Sequence, residues 1–290
     1  MVNYRTNRDR IKINELGSLY LNRNISKGTS VVIYIGGQME HRLHTLEDAT
    51  SLTFDSGHKI FNGSFMYEYP IIRGNKSNIN AVNFADNLTK AIEIARLEDV
   101  IIITESYGGL IAACASKSPR IQKVIATHPP ILGTSLASNA ILIDNLNKLE
   151  KQQRLLAKSL TWFINDCYGF QKDNYLGINN PNIFKNIDLT KLTVVGSALD
   201  REKDKNNLAC NLYDIIYALT GEKSDGVVIW NEETLRKYGI NYLTETMPTN
   251  LFDAGSEENI LKVVSNCLEN FNFKDYEEFK KVLSFGRKSS

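Results

Sequence analysis

The sequence predicts an α/β fold in which a mostly parallel sheet is covered by helices on both faces. Three observations carry that prediction. Short apolar runs alternate with stretches whose apolar residues recur at helical spacing. The runs are apolar at successive positions, as expected of strands buried on both faces. The 290 residues hold only 18 Gly and 6 Pro, with no repeat or linker-like stretch, so one continuous domain over 1–290 is expected.

The elements follow in order. Thr29 to Ile35 reads as a buried strand ended by Gly36-Gly37. Ser64 to Pro70 alternates and stops at proline, which suits a second strand. Phe84, Leu88, Ala91, Ile92 and Ala95 share one helical face, so a helix is expected over 79–97. Asp99 to Thr104 is a fully apolar strand, and the small apolar residues Leu110 to Ser116 continue as a buried helix. Gln122 to Thr127 and Leu192 to Gly196 are further strands, with a helix over 207–219. Gly226 to Trp230 opens another apolar segment, and Tyr242 begins the last strand. Helices over 257–268 and 276–285 close the chain. Between 133 and 190 the pattern changes. Ile141, Leu142, Leu146, Leu149, Leu155, Leu156 and Leu160 mark one or two amphipathic helices, with Trp162 and Phe163 beyond them.

Composition narrows the class of function. The chain is 42% hydrophobic and 23% charged, outside the range of disordered chains. Its net charge of +1 provides no field for nucleic acid or anionic lipid. The basic start of the chain reads as a solvated face. No apolar run is long enough to span a membrane. The first residues lack an apolar signal region, which points to the cytoplasm. Cys114, Cys167, Cys210 and Cys267 are widely spaced and match no zinc pattern, so free thiols are expected. There are four histidines: His41, His44, His58 and His128.

The sharpest feature is Thr104-Glu105-Ser106-Tyr107-Gly108-Gly109, where an apolar strand gives way to a helix of small residues. A nucleophile elbow requires this setting, because only small residues fit two positions before and after the serine. Thr104 and Gly108 hold those positions. The turn would raise Ser106 Oγ above the sheet edge at a helix N-terminus, where backbone N–H groups and the helix dipole favour a developing oxyanion. The plain structural alternative is a strand–turn–helix junction with a capping serine.

On these residues the chain resembles the α/β-hydrolase superfamily over about 29–270, and within it the bacterial lipases and esterases. The resemblance implies an oxyanion hole formed by the N–H of Tyr107 and an N–H at Gly37 or Gln38. The segment Thr127-His-Pro-Pro-Ile-Leu-Gly-Thr-Ser135 is similar to the lipase segment in which a proline and a Gly-Thr or Gly-Ser pair follow the next strand. Ser224-Asp225-Gly226-Val227-Val228 resembles the lipase segment carrying the acid, which makes Asp225 the first candidate and Asp200, just past a strand, the alternative. A shorter likeness, Ile102 to Gly109, is to the active-serine segment of serine carboxypeptidases.

The base is the difficulty. In the superfamily it is a histidine after the acid, yet no histidine follows His128. By its resemblance to the lipase histidine segment, Met247-Pro-Thr-Asn250-Leu-Phe-Asp253 places Asn250 at the base position. An amide can hydrogen-bond to Ser106 and Asp225 but cannot take and return a proton near neutral pH. Three explanations stay open. Asn250 replaces a native histidine; the protein is a pseudo-hydrolase binding a ligand or partner; or another histidine serves. Among the last, His128 follows the strand beside the one carrying Ser106, and His41 and His44 follow the oxyanion loop.

The expected activity is hydrolysis of carboxylic (acyl) esters through an acyl-enzyme, slowed or silenced if the base is missing. Acyl transfer or peptide hydrolysis on the same fold are lesser alternatives. The expected partner is a small acyl ester, without nucleic acid, metal or organic cofactor. Residues 133–190 fall where such enzymes carry a lid, whose apolar side chains would line an acyl pocket.

Overall fold

The computed structural model describes residues 8–22, 31–37, 65–69, 79–137, 147, 149–151, 153–158, 168–244 and 250. Their strands form one eight-stranded sheet in the order β1-β2-β4-β3-β5-β6-β7-β8. The strands are β1 Arg8–Asn14, β2 Gly17–Asn22, β3 Val32–Ile35, β4 Phe65–Glu68, β5 Val100–Glu105, β6 Ile121–Thr127, β7 Leu192–Gly196 and β8 Asn241–Thr244. From β4 through β8 every neighbouring pair runs parallel, whereas β1 and β2 form an antiparallel edge.

The helices are α1 Ala81–Ile94, α2 Gly108–Ala115, α3 Tyr168–Leu176, α4 Pro181–Phe184, α5 Asn207–Thr220 and α6 Glu232–Lys237. Asn80 starts α1 with a capping box: its side chain accepts from Val82 and Asn83, and Asn83 reciprocates. Gly221 ends α5 at φ +73°, a left-handed cap that suits glycine.

Alternation along the central strands assigns their side chains to two faces. Ile102, Val124 and Val194 join α1 and α2 in the main core, while Ile125 and Val195 turn to the opposite face with Leu243. α2 is buried along its whole length. A second cluster joins Leu149 and Ala157 of the 133–190 region to Leu212, Ile215 and Ile216 of α5. Leu149 thus packs on the body of the protein, whereas Leu155 is 61% exposed. Trp162, Phe163 and the helices expected over 257–268 and 276–285 lie outside the described residues.

One expectation is corrected. The basic N-terminal segment includes an edge hairpin, because Ile11, Ile13 and Leu16 pack against the core. Residues 226–230 form no strand: the segment is a turn with one isolated bridge, Ser224 to Ile229. Asp225 Oδ1 accepts the N–H groups of Val227 and Val228 at 2.8 and 2.7 Å, and these bonds curl the chain back on itself.

Candidate active site

The parallel strands all end on one edge of the sheet, and the chemistry-bearing residues gather there. Glu105 of β5 pairs with Thr127 of β6. Each strand is followed by a non-glycine residue in the left-handed region: Ser106 at φ +49° and His128 at φ +44°. Such conformations cost on the order of 1–3 kcal/mol each and persist only where the surroundings impose them. Here the surroundings are visible. The Ser106 N–H donates to Thr127 O at 2.9 Å and the His128 N–H donates to Val195 O at 2.7 Å. Ser106 and His128 therefore follow adjacent strands at the same level, where the strand spacing is about 4.8 Å.

The elbow depends on its glycines. A Cβ at Gly108 would lie 2.6 and 2.7 Å from the backbone oxygens of Ile35 and Gly36. A Cβ at Gly109 would lie 2.5 Å from Pro129 Cβ, so that glycine lets the His128-Pro129 loop close on the elbow. A Cβ at Gly37 would meet Ser106 Cβ at 3.0 Å and Oγ at 3.7 Å, which puts the Gly36-Gly37 loop directly against the serine. The tight turn also tolerates Thr104, which is buried and whose carbonyl accepts the Thr127 hydroxyl at 2.7 Å.

Between Val100 and Ser116, Ser106 is the one residue that is not buried. Tyr107 is the N-cap of α2, where the helix itself supplies no carbonyl for the N–H. Gln38, the other expected oxyanion donor, lies outside the described residues, as do His41, His44 and His58. Thr104, Ser106, Tyr107 and Gly37 are thus all at the same edge.

The structure brings Asp225 to His128. Asp225 Oδ2 is 2.7 Å from His128 Nδ1, and both side chains are buried. With Oδ1 accepting two backbone N–H groups, the carboxylate acts as acceptor at both oxygens. Nδ1 then carries the proton of the neutral ring, and the lone pair is on Nε2. Gly196 at the end of β7 leaves room for the Trp230 ring, which a Cβ there would meet at 2.9 Å.

Asn250 is buried but has a different partner from the one expected. Its Nδ2 donates to Asp204 Oδ2 at 2.8 Å, while Asp225 takes His128. The alternative acid, Asp200, pairs with Lys203 at 2.8 Å on the surface. That lysine holds its carboxyl below the ordinary range. Sequence reasoning did not single out Asp173 or Tyr69. Asp173 of α3 is buried and accepts the hydroxyl of Tyr107 at 3.1 Å, the Ala81 N–H at 2.7 Å and the Asn180 amide at 3.2 Å. Burial raises its pKa, with those three bonds opposing. Tyr69 donates to Gly36 O at 3.1 Å. Neither residue lies in a motif, and both contacts join distant parts of the chain, so no local pattern announces them. Cys114 is free and buried in α2, and desolvation pushes its thiol well above the usual range.

No protein-family model and no curated protein matches the chain. Solved structures do. Lipase BlEst2 of Bacillus licheniformis, in its mature form, superposes with a TM-score of 0.55 at 14% identity, covering 89% of this chain and 99% of the lipase. MGS-M2, an alpha/beta hydrolase enzyme from a Medee basin deep-sea metagenome library, gives 0.53 at 14% identity, covering 91% and 98%. The chain has the α/β-hydrolase fold.

Proposed function

We propose that this α/β-hydrolase fold carries a serine hydrolase of the lipase/esterase type, acting on small acyl esters, with His128 rather than Asn250 as its base. The observation that carries the reading is the His128–Asp225 pair at 2.7 Å, one strand away from a solvent-reached Ser106 on a left-handed turn. An orienting carboxylate, an imidazole with its lone pair on Nε2 and a hydroxyl at a helix N-terminus are the parts that acyl transfer needs.

In the reaction, Ser106 Oγ attacks the ester carbonyl as its proton passes to His128 Nε2. The Tyr107 N–H, with an N–H at Gly37 or Gln38, holds the oxyanion. The imidazolium then gives its proton to the departing alcohol, leaving an acyl-Ser106. Water, deprotonated by His128, hydrolyses that ester and frees the serine. Asn250, whose amide is taken by Asp204, contributes no proton transfer. Within 133–190, Ile178, Ile183 and Ile187 join the main core, so the lid role proposed for this region falls to its part before Tyr168. Free Cys114 and Cys210 suit a reducing compartment, the cytoplasm.

One observation favours a second reading. The side chains of His128 and Asp225 are 1% and 2% exposed, so the pair also suits a buried strut beneath a pocket that binds without catalysis. A fluorophosphonate probe separates the two. The first reading expects labelling that is lost in Ser106→Ala and falls at least about 100-fold in His128→Gln, the scale of a positioned general base. No labelling of the unaltered protein at any pH assigns the site to binding.

A further inference from the structure

The oxyanion hole proposed above has two arms, one at Tyr107 and one at the Gly36-Gly37 loop, and both are braced from beneath by the same buried cluster. Tyr107 is buried, and Asp173 Oδ2 accepts its hydroxyl at 3.1 Å. The same oxygen accepts the Ala81 N–H at 2.7 Å, the first turn of α1. Asp173 Oδ1 accepts the Asn180 amide at 3.2 Å. Apart from Tyr107, two donors, Ala81 at the start of α1 and Asn180 at the N-cap of α4, thus fix Asp173, which is not free to follow Tyr107. On the other arm, Tyr69 donates to Gly36 O at 3.1 Å, and its ring lies 5.9 Å from that of Tyr107 and 5.3 Å from Phe84. An anchored phenol, a tilted aromatic pair and a pinned carbonyl set the gap between the arms.

We infer that Asp173, on the helix α3 outside the sheet, is a positioning residue for the oxyanion hole, acting through the Tyr107 hydroxyl. It touches no reacting atom. The role rests on the serine-hydrolase reading. Its physical basis is that an oxyanion donor stabilises the transition state only when held at hydrogen-bond distance from where the charge develops. A backbone shift well below 1 Å already weakens it. α2 has no side-chain cap hydrogen bond at Tyr107, so the phenol anchor is a lateral restraint on the first turn of that helix.

The test uses the full chain, a p-nitrophenyl ester and the fluorophosphonate probe. Tyr107→Phe removes the anchored hydroxyl and keeps the ring; Asp173→Ala removes the acceptor. Each is expected to lower kcat about tenfold with KM within about twofold, because a transition-state interaction is lost and ground-state binding is not. The double variant is expected to be no slower than Asp173→Ala alone, since the Tyr107–Asp173 bond is already lost in that variant. Asp173→Asn keeps an acceptor oxygen for the phenol and is expected to restore kcat to within about threefold of the unaltered protein. Should Asp173→Ala fail to fold, the Tyr107→Phe and Asp173→Asn rates still decide. A fall in melting temperature with kcat per folded molecule unchanged in Tyr107→Phe overturns the inference, as does full additivity in the double variant. If the unaltered protein labels at Ser106 and these rates stay put, only this inference fails. Absence of labelling in the unaltered protein overturns the hydrolase reading and this inference with it.

Discussion

Asp225→Asn isolates orientation from stability at the proposed triad. The asparagine keeps an oxygen where Asp225 Oδ1 accepts Val227 and Val228 at 2.8 and 2.7 Å, so the turn that carries it survives. The other oxygen becomes an amide facing His128 Nδ1 across 2.7 Å. Two donors cannot face each other, so the ring moves its proton to Nε2 and presents the Nδ1 lone pair to the amide. A protonated Nε2 cannot receive the Ser106 proton. In triads of this type the same exchange lowers kcat on the order of 10⁴-fold, about 5 kcal/mol at roughly 1.4 kcal/mol per tenfold. Every buried hydrogen bond is retained, so the unfolding free energy is expected to change by no more than about 1 kcal/mol. The assay pairs the rate of fluorophosphonate labelling with the urea unfolding midpoint on one sample. Near-native labelling in Asp225→Asn refutes the reasoning. So does a loss of labelling that merely follows the fraction unfolded.

Three further outcomes are expected. Asn250→Ala should leave labelling within about threefold while lowering stability by about 1–3 kcal/mol, because Asp204 Oδ2 loses its donor; labelling abolished by this change, measured beside a urea titration, returns the base position to residue 250. Gly108→Ala should cost about 1–3 kcal/mol in urea unfolding, since its Cβ meets backbone oxygens at 2.6 and 2.7 Å, whereas Gly221→Ala has nothing within 4 Å and bears only the strain of φ +73°. Asp173 has a raised pKa, chiefly from burial, so the folded state binds its proton more tightly than the unfolded state does; its contribution is fully present below the ordinary carboxylate range and is lost as pH rises through the folded value. Unfolding titrations over that range should show the unaltered protein losing stability relative to Asp173→Asn as pH increases, and a rising difference overturns the assignment.

What could be read from the sequence follows from which forces are local. β5, α2, β6 and β7 are legible because runs such as Val100 to Thr104 are apolar at successive positions and must be covered on both faces. The elbow is legible because a steric rule fixes which residues surround a serine on a tight turn. The edge hairpin is not legible because its alternating Ile11 and Ile13 are diluted by Arg8, Arg10 and Lys12. Residues 226–230 read only as an apolar segment, and the side-chain acceptor of Asp225 takes the backbone N–H groups that a sheet would use. The bond between Asp173 and Tyr107 spans 66 residues and has no local signature.

The base proposed at His128 is the step that chain order hides. Reading the base as a residue after the acid leads to Asn250, because the superfamily resemblance works in chain order. A parallel sheet brings every strand's C-terminal end to one edge, so a group after β6 reaches that edge as well as one after β8. What a base requires is a position near the serine and a carboxylate on its far nitrogen. His128 has Ser106 beside it through the Glu105–Thr127 pairing, and Asp225 on Nδ1. The left-handed backbone of His128 just before Pro129 is the conformational cost of that position. Gly109 leaves the space in which the His128-Pro129 loop is held. The strained backbone, Gly109 against the His128-Pro129 loop and the buried carboxylate on Nδ1 together are what support His128 as the proposed base.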